Sequence, residues 1–190
     1  MQSSQDFSKY KYRDTLTKSS KALRAIWLVV WIVFFRPSPR FMFNGWRVFL
    51  LKLFGAKIGS GSKISATCFV WAPWNLEVGK YSVLGDNVDC YSMDKIVIGS
   101  KVAVSQRSFL CTGSHDISSL KRPLLTKPIV IQDHVWVAAE SMIMPGVTIH
   151  TGSVVGARSL VTKDLQEWMV CVGNPCMPIQ KRKISEAETS

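Results

Sequence analysis

Between Ile131 and Val161 an aliphatic side chain returns at every sixth position: Ile131, Val137, Ile143, Ile149, Val155 and Val161. Isoleucine and valine make up 33 of the 190 residues. Six of them in one phase is on the order of a one-in-a-few-hundred accident. Four places after each beat stand Val135, Ser141, Val147, Ser153, Ser159 and Leu165, all small or aliphatic. The beat also runs through Ile58, Ile64, Val70, Leu76, then Val78, Leu84, Cys90, Ile96, then Ile98, Val104, Leu110. It slips by two residues at 76/78 and at 96/98. A period of six matches neither the helix nor simple strand alternation. It fits a short strand and a turn, repeated, with one branched side chain per repeat aimed inward. Such repeats build parallel β-helices, in which three faces per coil make a triangular prism and the beat residues stack as ladders. Gly and Asn/Asp at the corners, as in Leu84-Gly85-Asp86-Asn87, would supply the positive φ of the turns.

The beat breaks once. From Leu110 to Ile131 is 21 residues, where a regular coil needs 18. The chain must leave the prism and return, carrying an excursion at about 112–130. Loops that project from a rigid repeat often carry function. His115 sits at the root of this one, off the beat, so it is not a ladder residue.

The net charge of +11 is uneven. Residues 1–56 hold ten Lys/Arg and two Asp/Glu, a local +8, and the rest carry +3. A basic excess confined to one segment argues against nucleic acid binding across the fold. Five cysteines (Cys68, Cys90, Cys111, Cys171, Cys176) form no C-x-x-C pair, and the first 17 residues are polar without a cleavage pattern. Reduced thiols in a cytoplasmic protein are expected. His115, His134 and His150 lack partners at zinc-ligand spacing, so no metal is expected.

The basic segment, residues 1–55, reads as a helical appendage. Ala25 to Phe35 is eleven unbroken apolar residues, about half of the ~20 a membrane span needs. Lys18, Lys21 and Arg24 precede it, and Arg36 and Arg40 follow. "RPSPR" stops a helix. A second helical run from about Asn44 to Phe54 puts Trp46, Phe49, Leu50, Leu53 and Phe54 toward one side. Two readings stay open: an interfacial anchor at the inner membrane surface, or helices packed on protein.

"IGSGSK", "LGDNVD", "IGSKVA", "PGVTIHTGSVVGARSLVTKD" and "VGNP" resemble the hexapeptide-repeat acyltransferases over about residues 56–180. "FRPSPR", "GWR", "LLKLFGAKIG" and "SQRSFLCTGSHD" further resemble the branch that acetylates exopolysaccharides of the colanic-acid type. The resemblance implies a left-handed parallel β-helix over 56–176, with the helical segment before it and a short tail, 177–190, after it. It also implies a homotrimer, with acetyl-CoA as donor in a groove between prisms. His115 would be the general base, removing the proton of a sugar hydroxyl as oxygen attacks the thioester directly. Imidazole has the base strength for this near neutral pH. Asp89, Tyr91, Ser92 and Asp116 would face the acceptor. Trp136, Ala138, Ala139, Gly156, Ala157, Thr162 and Lys163 would line the donor.

Two departures from the family stand out. Met177 and Gln180 occupy places where relatives carry arginine, with Lys181 and Arg182 next door to replace them at the nucleotide end. Tyr91-Ser92 stands where relatives have a Tyr-Asn pair. Cys111, four residues before His115, is a rival nucleophile. Rival functions are acetylation of a small acceptor such as a free sugar, amino sugar or antibiotic, and a non-catalytic scaffold. A metal-dependent hydratase on the same prism would need three clustered histidines, which the spacing does not give.

Overall fold

A computed structural model of the protein describes residues 17–40 and 42–184. Its body is a solenoid of parallel strands with three faces, wound as the period of six requires. Face I stacks Lys57–Ile58, Leu76–Val78, Ile96–Ile98, Ile129–Ile131 and Thr148–Ile149. Face II stacks Lys63–Ile64, Val83–Leu84, Ala103–Val104, Trp136–Val137, Val154–Val155 and Met169–Val172. Face III stacks Phe69–Val70, Asp89–Tyr91, Phe109–Cys111, Met142–Ile143 and Leu160–Val161. The beat residues are buried and pair in register: Val78 lies between Ile58 and Ile98, and Ile131 between Ile98 and Ile149. Each fully buried aliphatic side chain contributes about 2 kcal/mol, but only because a neighbouring coil covers it.

The slips in the beat have a simple geometry. Leu76 and Val78 are the two ends of one strand, and both point inward. Ile96 and Ile98 repeat the arrangement. The lower coils therefore take twenty residues (Ile58↔Val78, Val78↔Ile98), and Ile131↔Ile149 takes eighteen. The serines four places past the beat are buried because a coil turn leaves carbonyls and amides to satisfy. Ser141 Oγ donates to the Gly156 carbonyl at 2.9 Å, Ser153 Oγ donates to the Gln166 carbonyl at 2.5 Å, and Gly173 N–H donates to Ser159 Oγ at 3.0 Å.

The corners correct one expectation. Positive φ falls on Asn87 and on glycines such as Gly61 and Gly152, but also on Tyr81, Lys101, Arg107, His134, Glu140, Arg158 and Trp168. A non-glycine residue there costs roughly 1–2 kcal/mol. The amides at these corners hydrogen-bond to the coil below, as Lys101 N–H does to the Lys80 carbonyl and Arg107 N–H to the Asp86 carbonyl, both at 2.8 Å. Those bonds offset the strain, so the corner does not demand glycine.

A solenoid has two open edges, and both are covered. At the bottom lie α1 (Lys18–Val30), prolonged by a π-helical turn Trp31–Phe35, and α2 (Asn44–Leu53). Trp27 Nε1–H donates to the Val70 carbonyl at 2.6 Å, on the lowest strand of face III, and Trp31 Nε1–H to the Cys68 carbonyl at 3.0 Å, just before it. Asn44 and Arg47 do the same on face II: Asn44 Oδ1 accepts from Ile64 N–H, and Arg47 Nε–H donates to the Ile64 carbonyl at 2.8 Å. The rest of the buried Arg47 guanidinium holds Ser38 Oγ and the carbonyls of Pro39 and Arg40, tying the "RPSPR" stretch beneath the prism. The second helix does not gather its apolar residues on one side. Leu50 and Leu51 are buried and Phe54 packs on the core, whereas Trp46, Phe49 and Leu53 face outward.

At the top, Met177–Lys181 pairs antiparallel with Met169–Val172 and closes face II. The segment expected as a tail therefore starts as a sheet strand. Residues 1–16 of the N-terminal segment and 185–190 of the C-terminal one lie outside the described residues.

Candidate active site

The excursion is a β-hairpin. Gly113–His115 pairs antiparallel with Leu124–Thr126, leaving face III after Cys111 and rejoining face I at Ile129. It projects from the III/I corner. A residue larger than Gly113 would meet the Tyr91 ring at 3.0 Å and Met93 at 3.2 Å, so the hairpin starts close against the wall.

His115 ends the outgoing strand with its side chain exposed. Its Nδ1 lies 2.8 Å from the carbonyl oxygen of Arg122. A carbonyl only accepts, so Nδ1 carries the hydrogen and the neutral ring has its lone pair on Nε2. The return turn thus fixes both tautomer and orientation, with Arg122 at φ 44° presenting the carbonyl. The Asp116 carboxylate accepts from the N–H and hydroxyl of Ser118, at 2.9 and 2.5 Å, and these bonds hold it below the usual carboxylate range. It shapes the turn.

Asp89 and Tyr91 face outward on face III beside the hairpin. Asp89 pairs in register with Phe69 below and Phe109 above, and Tyr91 packs edge-on against Trp71 at 5.4 Å. Burial pushes the Asp89 carboxyl above its ordinary range, and its Oδ1 is buried with no hydrogen-bond partner among the described residues. Ser92 is placed differently. It is fully buried, its Oγ accepts from Ala72 N–H at 2.9 Å and donates to the Ala72 carbonyl at 3.0 Å. Its hydroxyl is spent bracing two coils, so it does not face an acceptor. Cys111 is half-buried, donates S–H to the Gly113 carbonyl at 3.1 Å, and burial pushes its thiol up, which disfavours a thiolate nucleophile.

The residues expected at the donor spread over three corners. Ala138, Ala139, Gly156 and Ala157 follow face II and form a column at the II/III corner. Trp136 leads into that column from face II, with its Nε1–H donating to Ser105 Oγ at 3.0 Å. A Cβ on Gly156 would lie 2.6 Å from Val172 Cγ1, so the column is narrow by construction. Thr162 and Lys163 follow face III and are exposed at the III/I corner, two coils above the hairpin. Lys181 and Arg182 lie at the I/II corner, where Arg182 Nη1 donates to the carbonyls of His134 and Gly152 at 2.8 and 2.9 Å. Arg182 thereby fastens the final strand to the prism.

A charged cluster on the II/III corner has no signal in the repeat pattern. Glu140 Oε1 pairs with Arg107 at 2.7 Å and Oε2 with Arg158 at 2.6 Å. The hydrogen bond and charge of Arg158, with Arg107 behind, hold the Glu140 carboxyl below its usual range. The side chains sit on successive coils, which a linear reading does not align. A cleft of about 670 Å³ lies lower on the same corner, away from His115, lined by Arg40, Asn44, Lys63, Asp86 and Gln106 among others. Among the described residues, no group of three or more His, Cys, Asp or Glu could hold a metal ion.

Residues 128–163 match the family model described as bacterial transferase hexapeptide (six repeats). Over 161 residues the chain is 44% identical to the Escherichia coli K12 protein named "Putative colanic acid biosynthesis acetyltransferase WcaF", covering 85% of this chain and 88% of that one. The chain belongs to the hexapeptide-repeat acetyltransferases. This transferase is also 31% identical to the galactoside O-acetyltransferase of Lactococcus lactis, over 67% of its own length and 65% of the relative's. Among solved structures, a maltose O-acetyltransferase from Clostridium difficile 630 superposes with a TM-score of 0.80 at 25% identity, covering 88% and 90% of the two chains. The acetyltransferase VCA0836 of Vibrio cholerae, in complex with acetyl-CoA, shares the fold with a TM-score of 0.81 at 24% identity, over 93% and 96% of the chains.

Proposed function

We propose that the protein transfers acetyl from acetyl-CoA to a hydroxyl of a sugar in a surface-polysaccharide precursor, with His115 as general base. The observation that carries this reading is the Arg122 carbonyl on His115 Nδ1. It leaves Nε2 as the basic nitrogen on an exposed ring above a face with outward Asp89 and Tyr91. The hydroxyl oxygen attacks the thioester carbonyl as Nε2 takes its proton. The C–S bond then breaks, and the departing coenzyme A thiolate takes the proton back from the imidazolium. Asp89 would accept a hydrogen bond from a second acceptor hydroxyl, giving its lone buried oxygen a partner. The narrow column from Trp136 through Ala138 and Ala139 to Gly156 and Ala157 suits an extended pantetheine.

The column and the imidazole lie at different corners of one chain, separated by the width of face III. That separation supports a homotrimer in which a neighbouring copy brings its column to His115. Similarity to WcaF supports an acceptor on the way to an exopolysaccharide.

Thiol release from acetyl-CoA against a panel of free, nucleotide-linked and lipid-linked sugars tests the function, with mass spectrometry locating the acetyl group. His115→Ala should lower kcat by about a hundred- to ten-thousandfold, while Cys111→Ala should keep most of the activity. The reverse pattern would replace the direct attack with an acyl-enzyme on sulfur. Turnover only on free sugars or antibiotics would move the acceptor to the small-molecule class.

A further inference from the structure

The bottom cap has two sides, and only one is covered. Along α1 and its π-helical extension, Trp27 and Phe35 are buried and Arg24 and Trp31 half-buried, a stripe at helical spacing that meets the prism. The opposite side shows Ile26, Val29 and Val33, each between 52% and 59% exposed, and Leu23 and Phe34 flank the stripe at 41% and 52%. From α2 and the turn before it come Met42 at 84%, Phe43, Trp46, Phe49 and Leu53 at 67%. These form one surface, since Trp46 Nε1–H donates to the Phe34 carbonyl at 3.0 Å and its ring stacks on Phe49 at 5.7 Å. An apolar surface of this extent on a monomer marks a docking site.

Its charge selects the occupant. From Thr17 to Ala56 there are seven Lys/Arg and no Asp or Glu; Arg47 is buried beneath the prism, Arg24 lies over Trp71 and Arg40 pairs with Asp86, while Lys18, Lys21, Arg36 and Lys52 are exposed on the cap. A second copy would set one wholly basic segment against another, with no acid in either to pair. An anionic surface with an apolar interior complements both the charge and the side chains. The orientation agrees. Trp27 and Trp31, one helical turn apart, reach carbonyls two residues apart, Val70 on the lowest strand of face III and Cys68 just before it. The spans, about 6 Å along the helix and about 6.6 Å along the strand, match. The helix therefore lies along the strand, across the prism axis, and flat on anything below. Among the described residues no helix is long and apolar enough to cross a membrane.

We infer that the outer side of the α1–α2 cap docks the protein, prism upright, on a lipid bilayer rich in anionic headgroups. His115 sits two coils above the lowest strand of face III, about 10 Å, with a helix about 10 Å thick beneath. The imidazole is then about 20 Å from the lipid, within reach of a sugar carried on a lipid diphosphate. The docking itself does not depend on acetyl transfer.

Flotation of the full chain with vesicles tests it, comparing phosphatidylcholine alone with a mixture one quarter phosphatidylglycerol. The chain should float with the anionic vesicles, and tenfold less with neutral vesicles or at high salt. Phe34→Glu with Phe49→Glu should lower partitioning about a hundredfold, with circular dichroism, oligomeric mass and thiol release on a soluble acceptor unchanged. Val33→Asp serves as a second variant if the double one folds poorly. No flotation of the parent chain, equal flotation of the variants, or a variant that splits the oligomer would each overturn the inference. Loss of thiol release with intact flotation would instead strike the transferase reading.

Discussion

Gly79→Ala tests how tightly the coils are stacked. Gly79 sits at the I/II corner, in line with Gly59 below and Gly99 above. A Cβ there would lie 2.5 Å from the Gly99 carbonyl carbon and 2.6 Å from both its oxygen and Ser100 N. These are backbone atoms, so no side chain can swing away, and the coils must part by about 1 Å to reach ordinary contact. That displacement stretches the Gly79 N–H to Ile98 carbonyl bond from 2.7 Å beyond hydrogen-bonding range. It also pulls the Gly99 carbonyl from Ser82 Oγ, now at 2.7 Å. Two or three bonds at about 1 kcal/mol each, with unsatisfied buried partners, come to roughly 4 kcal/mol. The stiffer unfolded chain returns about 0.7 kcal/mol. The net loss, about 3 kcal/mol, should lower Tm by roughly 6–12 °C in a chain of this size. Gly45→Ala is the control: nothing lies within 4 Å of its Cβ, and it sits in α2. It should hold or raise Tm slightly. Thermal melts followed by circular dichroism compare the two. A Gly79→Ala melt within 2 °C of the parent's would refute the close backbone packing on which the stack rests.

Two further outcomes separate structure from function around His115. Ser92→Ala should cost about 1–3 kcal/mol in urea unfolding, because it strands the buried amide and carbonyl of Ala72, while leaving KM for the acceptor unchanged; a raised KM with parental stability would restore an acceptor contact. Asp89 should make stability fall as pH rises. Burial raises its folded value, so between the ordinary carboxylate range and that value the folded chain binds more protons than the unfolded. Asp89→Asn should therefore be the more stable protein at neutral pH and lose that advantage below the ordinary carboxylate range, as read from Tm against pH.

The ladders were legible because burial inside a three-sided coil leaves one acceptable side-chain class at a fixed interval, and Ile131 through Val161 obey it. The corners were not, because amide bonds to the coil below let Lys101, His134 and Glu140 take backbone shapes expected of glycine. The inward side of α1 was hidden for another reason. Ala25 to Phe35 is apolar all round, so no period marks a buried stripe; the choice falls to indole N–H groups that find open strand-edge carbonyls. The separation of His115 from the donor column could have been read by counting. His115 follows Leu110, the third beat of its coil, and Ala138 follows Val137, a second beat. The misplacement of Ser92 has the opposite origin. Its role came from the identity of its neighbour Tyr91, while its burial depends on the two extra residues of a twenty-residue coil.

The tryptophans beneath face III have a consequence for assembly. A rod built from identical rungs has no intrinsic length, and each bare end is a template for the next rod. Two indoles, one amide and one guanidinium blunt the lower end, and the returning strand Met177–Lys181 blunts the upper. The same few side chains that seat the helices therefore also keep separate molecules from joining end to end into fibres.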